Sequence, residues 1–354
     1  MRFVPSARLR RGLAAAAVVP AVLAAAACGG GSGGSSSAAS SGSGSAGATG
    51  AGGTVNLVAY STPQKVYEKL IPQFQKTAAG KGSTFQESFG ASGSQSRAVI
   101  AGQPADVVEF SLEPDMTKLV KAGLVASDWN SGQYKGMVTD SVVTFMVRKG
   151  NPKNIKSWAD LIKPGVKVVT PNPFSSGSAR WNLMAAYGSQ IKAGKSSQQA
   201  LDYVQAMLKN AVAQPESGSK ATAAFVAGTG DVLLSYENEA IEAQQAGQDV
   251  DFVTPDQTLL IENPIAVTSS TQNKATSEAF VKYLYTDEAH KIFASEGYRP
   301  VVKADLDSNR FPNPSGLFTI ADLGGWSKVT SQFFDAASGS ITKIENTLGV
   351  STSG

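Results

Sequence analysis

The chain has 354 residues, 42 % of them hydrophobic, and a formal net charge of +3. This length allows two ordinary domains, and the composition is that of a folded soluble protein rather than a disordered one. A single cysteine, Cys28, and a single histidine, His290, exclude an internal disulfide and a zinc site built from Cys and His clusters, and leave a Ser-His-Asp hydrolase only His290 to use.

The first 28 residues read as an export signal. Residues 2–11 are basic, residues 13–27 are apolar and Ala-rich, and the segment is shorter than a membrane-spanning helix. The only cysteine stands directly after Ala27, the pattern of a lipoprotein signal in which Cys28 is lipidated and becomes the first residue. The leucine common three positions before such a cysteine is absent; Leu23 stands five before it. Removing Arg2, Arg8, Arg10 and Arg11 with the signal takes the net charge from +3 to about −1. The mature surface is therefore near neutral, which argues against nucleic acid as a partner. Residues 29–53 are almost purely Gly, Ser and Ala. They cannot bury a core and are expected to form a flexible tether, spanning roughly 25–30 Å on average. The expected location is extracytoplasmic, with lipid on Cys28 as the only membrane contact.

From Thr54 the pattern is strand, loop, helix, repeated. Residues 55–60 predict a strand, and residues 64–77 predict a helix with Val66, Leu70 and Phe74 at helical spacing. Strands at 85–89 and 105–110 flank a helix at 94–101. Later strands are expected at 142–148, 166–170 and 230–236, and helices at 201–208, 237–246 and 277–294. The alternation predicts an α/β fold with a mostly parallel sheet. About 300 ordered residues exceed one comfortable core, so two lobes are expected. The expected division is 54–141 for the first part of one lobe, 142–252 for the other, 253–325 for the return to the first, and 326–354 as a C-terminal segment. His290 lies in the periodic run SEAFVKYLYTDEAHKIFASEG and reads as a surface helix residue.

Four small polar loops precede helices: Tyr60-Ser61-Thr62-Pro63, Gly90-Ala91-Ser92-Gly93-Ser94-Gln95, Ser175-Ser176-Gly177-Ser178 and Ser217-Gly218-Ser219-Lys220-Ala221-Thr222. A helix N-terminus carries free N–H groups and a partial positive charge, so it binds anions without a cationic side chain. Singly, each loop reads as an N-cap. Four together in an exported two-lobed chain point to an oxyanion site between the lobes. Other features carry less. Gly194-Lys195-Ser196 lacks the leading glycine and strand of a P-loop, Gly228-Thr229-Gly230 reads as a turn, and Asp106, Glu109 and Glu113 read as structural rather than as metal ligands.

The stretch Thr170-Pro171-Asn172-Pro173-Phe174-Ser175-Ser176-Gly177-Ser178-Ala179-Arg180-Trp181-Asn182 resembles the periplasmic sulfate-binding proteins of ABC importers, which have the type II solute-binding fold. So do Phe145-Met146-Val147-Arg148-Lys149-Gly150-Asn151-Pro152, Gly230-Asp231-Val232-Leu233-Leu234 with Glu237-Asn238-Glu239-Ala240, Tyr298-Arg299-Pro300, and Gly324-Gly325-Trp326. The resemblance runs in order from about Asn56 to Phe334. It implies a two-lobed α/β receptor, a monomer without cofactor or metal, that captures sulfate in the interlobe cleft and hands it to permease subunits.

Carried over by position, the resemblance implies sulfate ligands at the backbone N–H groups of Ser61, Ser92, Gly177, Ser178 and Ser219 and at the Ser176 hydroxyl. Ser178 replaces a family glycine. Tyr236 stands where the family has a tryptophan whose indole N–H donates to sulfate. The chemistry is consistent: sulfate is fully ionised at neutral pH and wants only donors, whereas phosphate keeps a proton that needs an acceptor. Asp, Glu and His are missing from the central stretch, as a donor-only site requires. Arg97 and Arg180 are read as structural. Thiosulfate, molybdate or tungstate remains the alternative ligand, and an extracellular ester hydrolase the alternative class.

Overall fold

The computed structural model describes residues 52–353. The signal segment with Cys28, and the tether before Gly52, lie outside the described residues. In chain order the first elements are β1 (Thr54–Tyr60), α1 (Gln64–Phe74), β2 (Thr84–Gly90), α2 (Ser92–Ile100), β3 (Val107–Glu109), α3 (Glu113–Lys121) and the long β4 (Met137–Arg148). There follow β5 (Val168–Val169), α4 (Gly177–Lys192), α5 (Ser197–Lys209), β6 (Ala211–Ala213), α6 (Gly218–Val226), β7 (Val232–Tyr236) and α7 (Glu237–Gln245). The chain continues through β8 (Val250–Val253), the long β9 (Gln257–Val267), α8 (Lys274–Tyr283), α9 (Asp287–Ser295), β10 (Arg299–Pro300), β11 (Gly316–Phe318), α10 (Gly325–Phe334) and α11 (Ser340–Thr347).

The strands form one sheet with the order β2-β1-β3-β9-β4-β7-β5-β6, and β8, β10 and β11 pair to the side of this path. β4 and β9 hold the sheet together by changing partners along their length. The first half of β4 pairs with β9 up to Val142, and from Val143 onward it pairs with β7 and β8. β9 pairs with β11 through Gln257, Thr258 and Leu259 and with β3 through Ile265, Ala266 and Val267. The expected mostly parallel sheet is therefore corrected to a mixed one: every pairing of β4 is antiparallel, as is β3 with β9. The reason is a strand that the sequence reading passed over. β9 lies between β3 and β4 in the sheet and runs antiparallel to both.

Apolar clusters sit on either side of this exchange. Val66, Tyr67, Leu70 and Phe74 of α1 fall on one face at helical spacing and are fully buried against β1 and against Phe280 and Phe293 of α8 and α9. Each such side chain stabilises the fold by about 1.5–3 kcal/mol relative to exposure. On the other side, Val168, Trp181, Met184, Val232 and Leu234 share a cluster with Phe318, Trp326, Val329, Phe333 and Ile341. Trp326 meets Trp181 edge to face with ring centroids 4.6 Å apart. The C-terminal helices are thus part of the core that holds α4.

Two further expectations change. The predicted helix over 277–294 is two helices, because Thr286 accepts from the Ala289 N–H and starts α9 afresh. His290 is buried, not a surface residue. It shares a helix face with Phe293, which packs into the core, and its Nδ1 lies 2.6 Å from Asp305 Oδ2. Two of the three carboxylates weighed as metal ligands have other partners. Asp106 accepts from the Asn56 backbone and side chain at 2.8 and 2.7 Å, and Glu109 accepts from the Tyr67 hydroxyl.

Candidate functional site

Ser61 follows β1 in the loop before α1. Ser92 is the first residue of α2, and Gly177 and Ser178 are the first two of α4, with Ser176 as its N-cap. Ser219 is the second residue of α6, and Tyr236 ends β7 and N-caps α7. Backbone N–H groups in a helix's first turn have no acceptor within the helix. At α2 and α4 no side chain caps the N-terminus either. The simple N-cap reading holds only at α6, where Ser217 accepts from the Lys220 N–H at 3.3 Å.

These loops, far apart in sequence, meet. The Gly93 N–H donates to the Ser175 carbonyl at 3.0 Å, joining the N-termini of α2 and α4. A Cβ on Gly93 would stand 2.9 Å from that carbonyl oxygen, so the approach requires glycine. Ser176 Oγ and Ser178 Oγ are 2.8 Å apart, and a Cβ on Gly218 would lie 3.1 Å from Ser178 Oγ, which sets the start of α6 against the start of α4. The Ser219 N–H points at Ser61 Oγ at 3.5 Å. A cavity of about 280 Å³ adjoins this last contact, lined by Ser61, Thr62, Ser219, Glu239 and Glu242 among others.

Ser111 completes the connection and was missed. It follows β3 and precedes α3, the same strand-to-helix position as the other loops, but no glycine or second serine marks it. The Ser111 N–H donates to Ser92 Oγ at 3.1 Å, and its Oγ lies 2.6 Å from the Tyr236 hydroxyl. A Cβ on Gly177 would collide with it at 2.7 Å. All seven residues expected at the site, Ser61, Ser92, Ser176, Gly177, Ser178, Ser219 and Tyr236, therefore lie in one connected set, with Ser111 at its centre.

The two arginines near this set are engaged elsewhere. Arg180 Nε donates to the Pro173 carbonyl at 2.8 Å and its guanidinium covers the Phe334 ring. Arg97 donates to Ser94 Oγ at 3.1 Å. The Ser92 hydroxyl donates to Asp115 Oδ2 at 2.7 Å, which leaves its backbone N–H as the group Ser92 can offer a ligand. Two acids stand near α6. Burial raises the Glu239 carboxyl, although Ser235 Oγ at 2.9 Å and Thr222 Oγ1 at 3.2 Å donate to it. Burial pushes Glu242 up to about 8, so it is mostly neutral at pH 7. Burial also raises the Tyr236 phenol well above its usual value, and it stays protonated. Chemically, the set is a group of convergent N–H and O–H donors, with Lys65 beside Glu239 and Glu242 in the adjoining cavity.

Two half-sheets that exchange long central strands, with helix N-termini converging between them, define a binding protein of the two-lobed periplasmic type. The family described as bacterial extracellular solute-binding protein matches residues 55–299. The chain belongs to that family. It is 43 % identical over 301 residues to the sulfate-binding protein of Synechococcus elongatus, covering 82 % of this chain and 86 % of the relative. A thiosulfate-binding protein of Pseudomonas aeruginosa is 34 % identical over 313 residues, covering 83 % and 93 %. Among solved structures, the sulfate-binding protein SubI from Mycobacterium tuberculosis H37Rv superposes with a TM-score of 0.78 at 47 % identity, covering 80 % of this chain and 99 % of that one. These relatives are named as binding proteins. Among the described residues no helix is long and apolar enough to cross a membrane.

Proposed function

We propose that this chain is an extracytoplasmic receptor that captures sulfate between its lobes and delivers it to the permease subunits of an ABC importer. The carrying observation is the convergence of uncapped helix N-termini at Ser92 and at Gly177-Ser178 with Ser61, Ser219 and Tyr236, while Arg97 and Arg180 are engaged with Ser94 and Pro173. In this reading the N–H groups of Ser61, Ser92, Gly177, Ser178 and Ser219 and the Ser176 hydroxyl hold the anion, and the Tyr236 side chain closes the set. Residues 54–141 and 253–325 form one lobe and 142–252 the other, with 326–354 packed as a closing segment. Ligand-dependent closure of the lobes is the signal that a permease reads.

Sulfate is preferred over thiosulfate because the sulfate-binding relatives are the nearer ones, at 43 % against 34 % identity. A hydrolase is disfavoured: His290, the one histidine, sits in α9 against Asp305 rather than beside the serines of the set. Calorimetry at fixed ionic strength with sulfate, thiosulfate, molybdate, tungstate and phosphate tests the reading. Sulfate should bind tightest, and phosphate weakest for want of an acceptor for its proton. No heat with sulfate, or tighter binding of another anion, would reject it.

The receptor is also proposed to be held at the membrane by lipid on Cys28, as a monomer on its Gly/Ser tether. Stable anchoring needs more than one acyl chain, each buried CH₂ contributing about 0.8 kcal/mol. Cys28→Ser is expected to move the protein from the detergent phase and the membrane fraction into the medium, with oxyanion binding unchanged. A variant that still partitions into detergent would show that the anchor is something else.

A further inference from the structure

Ser111 uses every polar atom it has. Its N–H donates to Ser92 Oγ at 3.1 Å. Its carbonyl accepts from Trp181 Nε1 at 2.7 Å and from Asn263 Nδ2 at 3.0 Å. Its hydroxyl is 2.6 Å from that of Tyr236. The residue is 1 % exposed and Tyr236 is fully buried. Four elements therefore fix Ser111 in place: α2, α4, β9 and the β7–α7 junction. The contact with Gly177 puts its Oγ against the start of α4, where a Cβ on Gly177 would stand 2.7 Å away.

Two hydroxyls that share one hydrogen bond own two protons. One lies between them and the other is free to donate. Which oxygen keeps the free proton follows from acidity. A phenol, with a reference pKa of about 10, is the stronger acid and the better donor, whereas an alkyl hydroxyl does not titrate in the ordinary range. Tyr236 then gives its proton to Ser111 Oγ, and the Ser111 O–H is left over on the Gly177 side.

We infer that Ser111 is a further anion ligand, donating its hydroxyl proton to the bound oxyanion, and that Tyr236 acts as the positioning residue that orients it. This rests on the oxyanion reading above and changes what Tyr236 does within it. The phenol does not need to touch the anion; it fixes the rotamer and the proton direction of Ser111. The two hydroxyls work as one donor, so their losses overlap instead of adding.

The experiment is a double-mutant cycle read by calorimetry with sulfate on the full-length mature protein: parent, Ser111→Ala, Tyr236→Phe and the double variant. Both substitutions remove one oxygen and add no volume, and a thermal melt of each variant checks the fold. Ser111→Ala should weaken sulfate binding roughly 10- to 100-fold, the usual loss for one hydrogen bond to a charged partner. Tyr236→Phe should lose as much or less, and the double variant should bind like Ser111→Ala alone. Parental affinity in Ser111→Ala would overturn the inference. So would Tyr236→Phe costing its full factor again in the Ser111→Ala background, since the phenol would then reach the anion by itself. A parent that gives no heat with sulfate would reject the oxyanion reading and this inference with it.

Discussion

Gly177→Asp is expected to abolish sulfate binding while leaving most of the fold intact. Gly177 is the first residue of α4, at the helix end whose free N–H groups and partial positive charge are the proposed anchor for the anion. Two separate effects act in the variant. The first is steric: a Cβ at this position would stand 2.7 Å from both Ser111 Cβ and Ser111 Oγ and 2.8 Å from Leu112 Cδ2. These are atoms of the β3–α3 loop, so any side chain pushes that loop off the start of α4. The second is electrostatic. A carboxylate about 4 Å from the anion is repelled by about 4 kcal/mol per pair of unit charges at an effective dielectric of about 20, close to a thousandfold in affinity. Gly177→Ala separates the two, because it carries the clash without the charge. Calorimetry should rank affinity as parent, then Ala, then Asp, with circular dichroism unchanged between parent and Ala. An Asp variant that binds sulfate like the parent with a native spectrum would remove this loop from the site.

The loops of the candidate site stand out in the sequence because their chemistry is local. Glycine and serine at a strand-to-helix junction advertise free N–H groups whatever the surrounding fold, and Ser92, Ser176, Gly177, Ser178 and Ser219 all sit at such junctions. Ser111 occupies the same kind of junction, but its role comes from partners 70 to 152 positions away in sequence, Trp181, Tyr236 and Asn263, which no local pattern encodes. The same limit explains the sheet. Helix and strand periodicity located β1, β2, β3, β4, β5 and β7, but strand direction depends on which strands end up adjacent, and that is set by β9 passing through the centre. His290 was misread for a related reason. Its place in a periodic helical run does not reveal what covers it, and its partner, Asp305, lies beyond the helix.

The largest stability effect is expected behind the site, at the ion pair between Glu237 and Arg299. Arg299 Nε donates to Glu237 Oε2 at 2.6 Å and its Nη2 to Oε1 at 3.0 Å, with the two side chains 3 % and 4 % exposed. The same Nη2 donates to the Pro312 carbonyl at 3.0 Å. Arg299 thus ties three parts of the chain together: β10, the segment before β11, and the first residue of α7. Removing one partner leaves the other charge buried and uncompensated, which typically costs about 3–5 kcal/mol. Glu237→Ala is the cleaner single variant, because Arg299 cannot shed its proton to escape the cost. Asp140, the register partner of Arg299 across β4 and β10, has its pKa pushed up by burial to about 8 and offsets only part of the loss. The melting temperature should fall by on the order of ten degrees, given about 2–4 °C per kcal/mol for a large domain. Replacing both partners by apolar residues of similar size, Glu237→Leu with Arg299→Met, should recover much of the loss, since the desolvation cost of both charges disappears together. Sulfate affinity should change less than stability, because Glu237 touches none of the site groups except through Tyr236, its neighbour in the chain. Single variants that melt within a degree of the parent would mean that the pair contributes nothing net. A double variant no more stable than Glu237→Ala would mean that Arg299 acts through its carbonyl contacts to Pro312 rather than through its charge.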